Sequence, residues 1–250
     1  MAGEPESGSS AATAASPGAA LRALASFFAG RPLADEAEAA ALARGTAALP
    51  VLGALAGFIA ARVGGWVGAS TTAEIGAVVT VLLLTGSSGG RFLRELGGLA
   101  GRASSSPGLA RFVPALVFAA EGVAILELPA SLRIVAVVLA GLLGRWAFVV
   151  QAYGSLVAEG HPRAAALVRG LEFREFGLAS VSAMALALVV ANALGLLALM
   201  LVAALAIGFR IAVHHGQGGV SQDTLGAGAA VAELAPLAFL AGLAHLLGAS

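Results

Sequence analysis

Residues 176–209 read FGLASVSAMALALVVANALGLLALMLVAALAIGF, without one charged side chain. A helix needs about 20 apolar residues to cross the roughly 30 Å hydrocarbon core of a bilayer. This run is longer than one crossing requires, and Asn192 and Gly195 lie near its middle. It reads as two short helices with a tight turn between them; the alternative is one long tilted helix plus a re-entrant piece. Either form calls for lipid around it, where a helix satisfies its own backbone polar groups.

Composition extends the reading to the whole chain. Of 250 residues, 59% are hydrophobic and 11% are charged, against about 25% charged in soluble domains. Mean hydropathy is +0.93. The apolar runs are continuous and not alternating, which argues against a transmembrane β-barrel. The expected fold is all-α, a polytopic transmembrane helical bundle of about seven spans. Residues 1–17 read as a disordered tail and 18–250 as a single integral membrane domain. Net charge is zero, so the lipid bilayer and not nucleic acid is the expected partner. The absence of cysteine excludes zinc-thiolate sites and cysteine nucleophiles.

Working outward from 176–209, the other spans are expected at 50–68, 73–85, 109–128, 131–150 and 231–247. Residues 19–30 form an interfacial helix ended by Arg31-Pro32, and 35–43 a solvated helix. Three polar loops are expected at 87–108, 151–175 and 210–228. With seven spans, these loops and the N-terminal segment share one side of the membrane. That side carries most of the arginines, and the opposite turns hold only Arg62 and Arg133. The positive-inside rule makes the arginine-rich face cytoplasmic.

The polar loops carry the candidate chemistry. In Gly218-Gly219-Val220-Ser221-Gln222-Asp223-Thr224-Leu225-Gly226-Ala227, glycines let backbone N–H groups approach an anion closely. Asp223 is able to hold Mg²⁺, or simply to cap the helix that follows. Glu233 lies ten residues on, inside the last span, where an unpaired carboxylate is costly. Arg145-Trp146 closes the fourth span; the arginine suits a phosphate, or snorkels beside an interfacial Trp. Arg91 and Glu95 form an anion site or a solvated face on a mobile loop. Neighbouring His214 and His215 do not face one side of a helix and make a poor chelating pair.

Taken together, these pieces resemble cobalamin synthase, the adenosylcobinamide-GDP ribazoletransferase family. The Asp223 motif is close to that family's Gly-Gly-x-Thr-Gly-Asp-Thr-Leu-Gly-Ala. Gly144-Arg145-Trp146-Ala147 with Tyr153 is a second match. Leu49-Pro50-Val51-Leu52-Gly53 and Leu84-Thr85-Gly86 are weaker echoes. The chain departs from the pattern after Thr85-Gly86, where the family has an acidic metal-binding block. Arg91, Glu95 and Gly98 stand where its three aspartates would be, so only Glu95 is acidic.

The resemblance implies a membrane transferase of the last steps of cobalamin (vitamin B12) assembly in the bacterial cytoplasmic membrane, with its active face cytoplasmic. It would join adenosylcobinamide-GDP to α-ribazole or its 5′-phosphate and release GMP. Asp223 and Arg145 are the implied catalytic residues. Thr224, Gly219, Gly226, Trp146, Tyr153 and Arg91 are the implied substrate-binding residues. Glu95, Asp223 and Glu233 are the implied Mg²⁺ ligands. Other cobalamin-assembly enzymes are possible partners. Two alternatives remain at this level. One is a non-catalytic homologue that binds a corrinoid or scaffolds partner enzymes. The other is a small permease, against which the nearly charge-free spans count.

Overall fold

The computed structural model describes residues 17–28 and 35–248. The expected tail, apart from Pro17, and Arg31-Pro32 lie outside the described residues. Among them there are ten α-helices and no strand: α1 Pro17–Phe28, α2 Glu36–Gly45, α3 Leu49–Ser70, α4 Ala73–Gly86, α5 Arg91–Ser104, α6 Pro107–Glu127, α7 Ala130–Ala152, α8 Pro162–Gly170, α9 Phe173–Gln217 and α10 Gln222–Leu246. The chain is an all-α polytopic bundle.

The helix α9 is two helices. Ala191 (φ −139°, ψ 16°) and Asn192 (φ 49°, ψ −132°) leave helical geometry. A Cβ on Gly195 would fall 1.9 Å from the carbonyl oxygen of Ala187. In a straight helix those residues would be about 12 Å apart along the axis. The limbs 173–190 and 193–217 therefore fold back on each other as a hairpin, as the polar Asn192 led one to expect. Asn192 holds a backbone conformation that glycine adopts freely and an L side chain resists. Asn192→Gly should therefore raise stability by about 1 kcal/mol, read as a higher Tm in detergent. An unchanged or lower Tm would show that Asn192 is not strained.

Among the described residues, five stretches are long and apolar enough to cross a membrane: Ala37–Ser70, α6, α7, α9 and α10. Dividing α9 at its turn makes six, against the seven expected; α4, with 14 residues, is too short for a full crossing by itself. The lipid-facing sides are plain from what is exposed: Leu55, Phe58 and Ile59 on α3, Phe112 and Leu116 on α6, Val181 and Met184 on α9. A soluble protein would not leave so much apolar surface uncovered.

At the centre stands α7, buried at every residue from Ala136 to Val149. It packs against α3, α9 and α10. Small residues make this possible. A Cβ on Gly141 would lie 2.3 Å from the Gly53 carbonyl oxygen, and one on Gly53 2.1 Å from that of Gly141. The backbones of α3 and α7 thus touch where no side chain fits.

The polar loops are shorter than hydropathy suggests. The 87–108 segment is mostly α5, bent 82° from α4. With 14 residues and four charges, α5 lies across the end of the bundle and does not span. The 151–175 segment contains α8, and residues 210–217 continue α9, leaving only 218–221 between α9 and α10. The expected solvated helix, α2, has Ala39, Ala41, Leu42 and Ala43 buried, because it packs against α1 and α8.

Candidate functional site

The turn into α10 is built by its own sequence. Gly218 (φ 71°) ends α9, its N–H donating to the His214 carbonyl. Gly219 then lets two loops touch: its Cβ would sit 2.7 Å from three backbone atoms of residues 156–158. There Ala158 N–H donates to Val220 O at 3.0 Å and Val220 N–H to Leu156 O at 2.8 Å. The second and third polar segments are joined directly. Ser221 caps α10 in a reciprocal capping box with Thr224, the arrangement that satisfies two orphan N–H groups at once. Thr224 is buried, its hydroxyl used in this box. Asp223 is not the cap; it sits in the first turn, where a carboxylate meets the positive end of the helix.

The helix α5 lies against this end of α10. Asp223 forms an ion pair with Arg102, both side chains partly exposed. Gly98 leaves the room: a Cβ there would be 3.3 Å from Asp223 Oδ2. Glu95 fills the space above Gly226, whose Cβ would collide with Glu95 Oε2. Arg91 Nε lies 3.5 Å from Glu95 Oε1, an ion pair looser than a strong hydrogen bond. Arg91 and Glu95 are 3% and 7% exposed. The mobile, solvated loop expected for them is a packed helix instead, and Gly226 of α10 leaves the room that Glu95 fills. Burial pushes the Glu95 carboxyl up to about 8, against the opposite pull of Arg91.

A second tier lies deeper. Arg145, fully buried, donates from Nη1 to Glu233 Oε1 at 2.8 Å and to Gly141 O at 3.1 Å. Its Nη2 donates to Ser87 Oγ, and its guanidinium stands 5.8 Å from the centre of the Phe92 ring. Glu121 of α6 is also buried and close enough to Glu233 to feel its charge. Arg145 does not snorkel and Trp146 is not an interfacial anchor: α7 runs on to Ala152, and Trp146, 6% exposed, donates from Nε1 to Ser180 Oγ at 3.2 Å. Tyr153 stacks on Phe176 with ring centres 4.3 Å apart, and its carbonyl accepts from Arg210.

The motifs therefore meet at one end of the bundle, but in two tiers. Asp223 and Glu233 are ten residues apart on one helix, about 15 Å along its axis. The hollow bordered by Arg91 and Glu95 measures about 10 Å³, too small for a nucleotide. The expected Mg²⁺ ligands do not form one centre: Glu95, Asp223 and Glu233 are each ion-paired to an arginine. Among the described residues no three of His, Cys, Asp and Glu are grouped to hold a metal. Glu95, buried and already held by Arg91, is a weak ligand as it stands. These residues do not fit a resident Mg²⁺.

Sequence reading passed over three residues here. Glu121 had a usable signal, a carboxylate within an apolar span. Arg102 and Ser87 had none, because their roles depend on how α5 folds back.

A family model described as cobalamin-5-phosphate synthase matches residues 109–241, more than half of the chain. The match takes in Glu121, Arg145, Trp146, Asp223 and Glu233, and leaves Arg91 and Glu95 outside. No curated protein and no solved structure matches the chain. A sequence match across the central helix and the Asp223 turn, on an all-α polytopic bundle, shows that the chain belongs to the cobalamin-5-phosphate synthase family and so to cobalamin biosynthesis.

Proposed function

We propose that the protein joins the cobinamide phosphate of adenosylcobinamide-GDP to α-ribazole or its 5′-phosphate, releasing GMP. The attacking ribose hydroxyl forms a bond to the cobinamide-side phosphorus. The bond from that phosphorus to the bridging oxygen of GMP breaks, and the hydroxyl proton leaves. Asp223 is the most accessible of the three paired carboxylates and takes that proton. Arg102, released from Asp223 toward the substrate, neutralises charge on the diphosphate. Arg145 acts as a positioning residue, holding α7 to α10 through Glu233 and to the end of α4 through Ser87. The observation that carries the reading is the Asp223–Arg102 pair at the start of α10, the one carboxylate–arginine pair of the site open to solvent.

Protein reconstituted in vesicles and given both substrates should release GMP and form the nucleotide-loaded corrinoid. Asp223→Ala should cut turnover about 100-fold, the lower end of what a positioned base contributes, while corrinoid binding persists. Full turnover by Asp223→Ala would remove Asp223 from the chemistry.

A second reading is supported by the small hollow and the arginine pairing: a family member that binds corrinoid without turnover. Corrinoid binding by the wild-type protein, with no GMP released under any divalent cation, selects it.

A further inference from the structure

A cavity of about 540 Å³ lies at the end of the bundle opposite Asp223. It opens where α3 turns into α4. The two helices cross there on glycines: a Cβ on Gly64 would lie 2.7 Å from Gly76 O, and one on Gly76 2.6 Å from Gly64 O. This tight crossing leaves a hollow against α6 and α7, walled by Ile125 and Val137. Gly65 faces open space, with nothing within 4 Å of its Cβ position.

The walls are apolar but the charge is of one sign. Arg62 and Arg133 line the cavity and no carboxylate does. Arg133 is held in place, donating from Nε to Leu128 O at 2.9 Å and from Nη2 to Leu126 O at 3.4 Å. Arg62 is exposed and makes no ion pair among the described residues. The N-termini of α4 and α7, at Ala73 and Ala130, both open on the hollow and add partial positive charge. Glu74 and Glu127 share this end but are exposed and outside the lining. Trp66, 72% exposed, also lines the cavity; an exposed Trp beside arginine marks the membrane–water boundary.

We propose that this cavity holds an anionic phospholipid. Its phosphate meets Arg62 and Arg133, and its chains run along the Ile125 and Val137 wall toward the bilayer core. A water-soluble phosphate would have no use for such a wall, and a zwitterionic lipid would bring, with the same phosphate, an ammonium group that Arg62 and Arg133 repel. The volume lies within the 300–1,000 Å³ usual for bound small molecules, enough for a headgroup and the start of its chains. A basic pocket between membrane helices is the setting in which such headgroups are recognised.

The probe is phosphatidylglycerol. Protein would be taken from vesicles of phosphatidylcholine with and without phosphatidylglycerol, and the retained lipid counted by native mass spectrometry. Phosphatidylglycerol should be retained preferentially, and the preference should fall about fivefold in Arg62→Gln, the weight of one basic residue toward an anionic headgroup. Arg133→Gln should do the same; because Arg133 also ties down the end of α6, brominated phosphatidylglycerol supplies a second measurement in folded wild-type protein. It should quench Trp66 fluorescence more than brominated phosphatidylcholine does, with Trp66→Phe identifying that residue's share. Equal retention of the two lipids, or a preference unchanged in Arg62→Gln, overturns the proposal. So does displacement by soluble glycerol phosphate, which assigns the site to a free anion, or quenching lost on self-association, which assigns the face to a second copy.

Discussion

Arg145→Ala should lower the stability of the folded protein by about 3–5 kcal/mol, the cost of leaving one partner of a buried ion pair alone. The guanidinium is fully buried and holds Glu233 from 2.8 Å. Removing it leaves Glu233 and nearby Glu121 together at membrane depth, where carboxylates are expensive. It also cuts the tie to Ser87. The check is thermal or denaturant unfolding in a mild detergent, followed by corrinoid-product formation in the fraction still folded. Arg145→Met combined with Glu233→Met should recover most of the loss, because neither charge is then stranded. A double variant as unstable as the single one would place the effect in packing and not in the ion pair.

The second large effect is expected at Gly141. A valine there must put its Cβ about where the Gly53 carbonyl oxygen already sits, 2.3 Å away. The obstacle is backbone, so no rotamer change relieves it, and α3 and α7 must separate. The expected loss is about 3 kcal/mol, the upper end for overpacking. Activity should fall further than stability alone explains, since the Gly141 carbonyl accepts from Arg145. Gly122→Ala in α6 is the control: nothing lies within 4 Å of its Cβ position, so it should be neutral or slightly stabilising. A Gly141→Val protein that melts with the wild type would mean the two helices are not in backbone contact.

Much of the fold was legible because lipid imposes a simple code. Long uncharged runs mark the spans, and a single Asn in the longest one marked its turn. The Asp223 motif and the Arg145-Trp146 pair were visible as polar groups in an apolar chain, and both lie at the same end of the bundle. The failures share a cause. Arg91 and Glu95 looked solvated because their charges are local in sequence, while the room for Glu95 is set by Gly226 across the α5–α10 contact. Trp146 looked interfacial because it stands beside an arginine near the end of the expected span; its hydrogen bond to Ser180 exists only once α9 packs beside α7. The family resemblance implied the three carboxylates as metal ligands, and nothing in the sequence reveals that each has an arginine opposite. Arg102 and Ser87 were illegible for the same reason, being partners chosen by tertiary contact alone.

The hairpin at Ala191–Asn192 also settles a question of parity. Were that uncharged stretch to run straight through, the chain would cross once fewer and everything after residue 217 would emerge in the opposite compartment. Val220 would then be a full bilayer away from Leu156 and Ala158, and Asp223 from Arg102 and Glu95. The sidedness of the whole C-terminal helix thus hangs on one reversal of the backbone, made by two residues that touch nothing in the site.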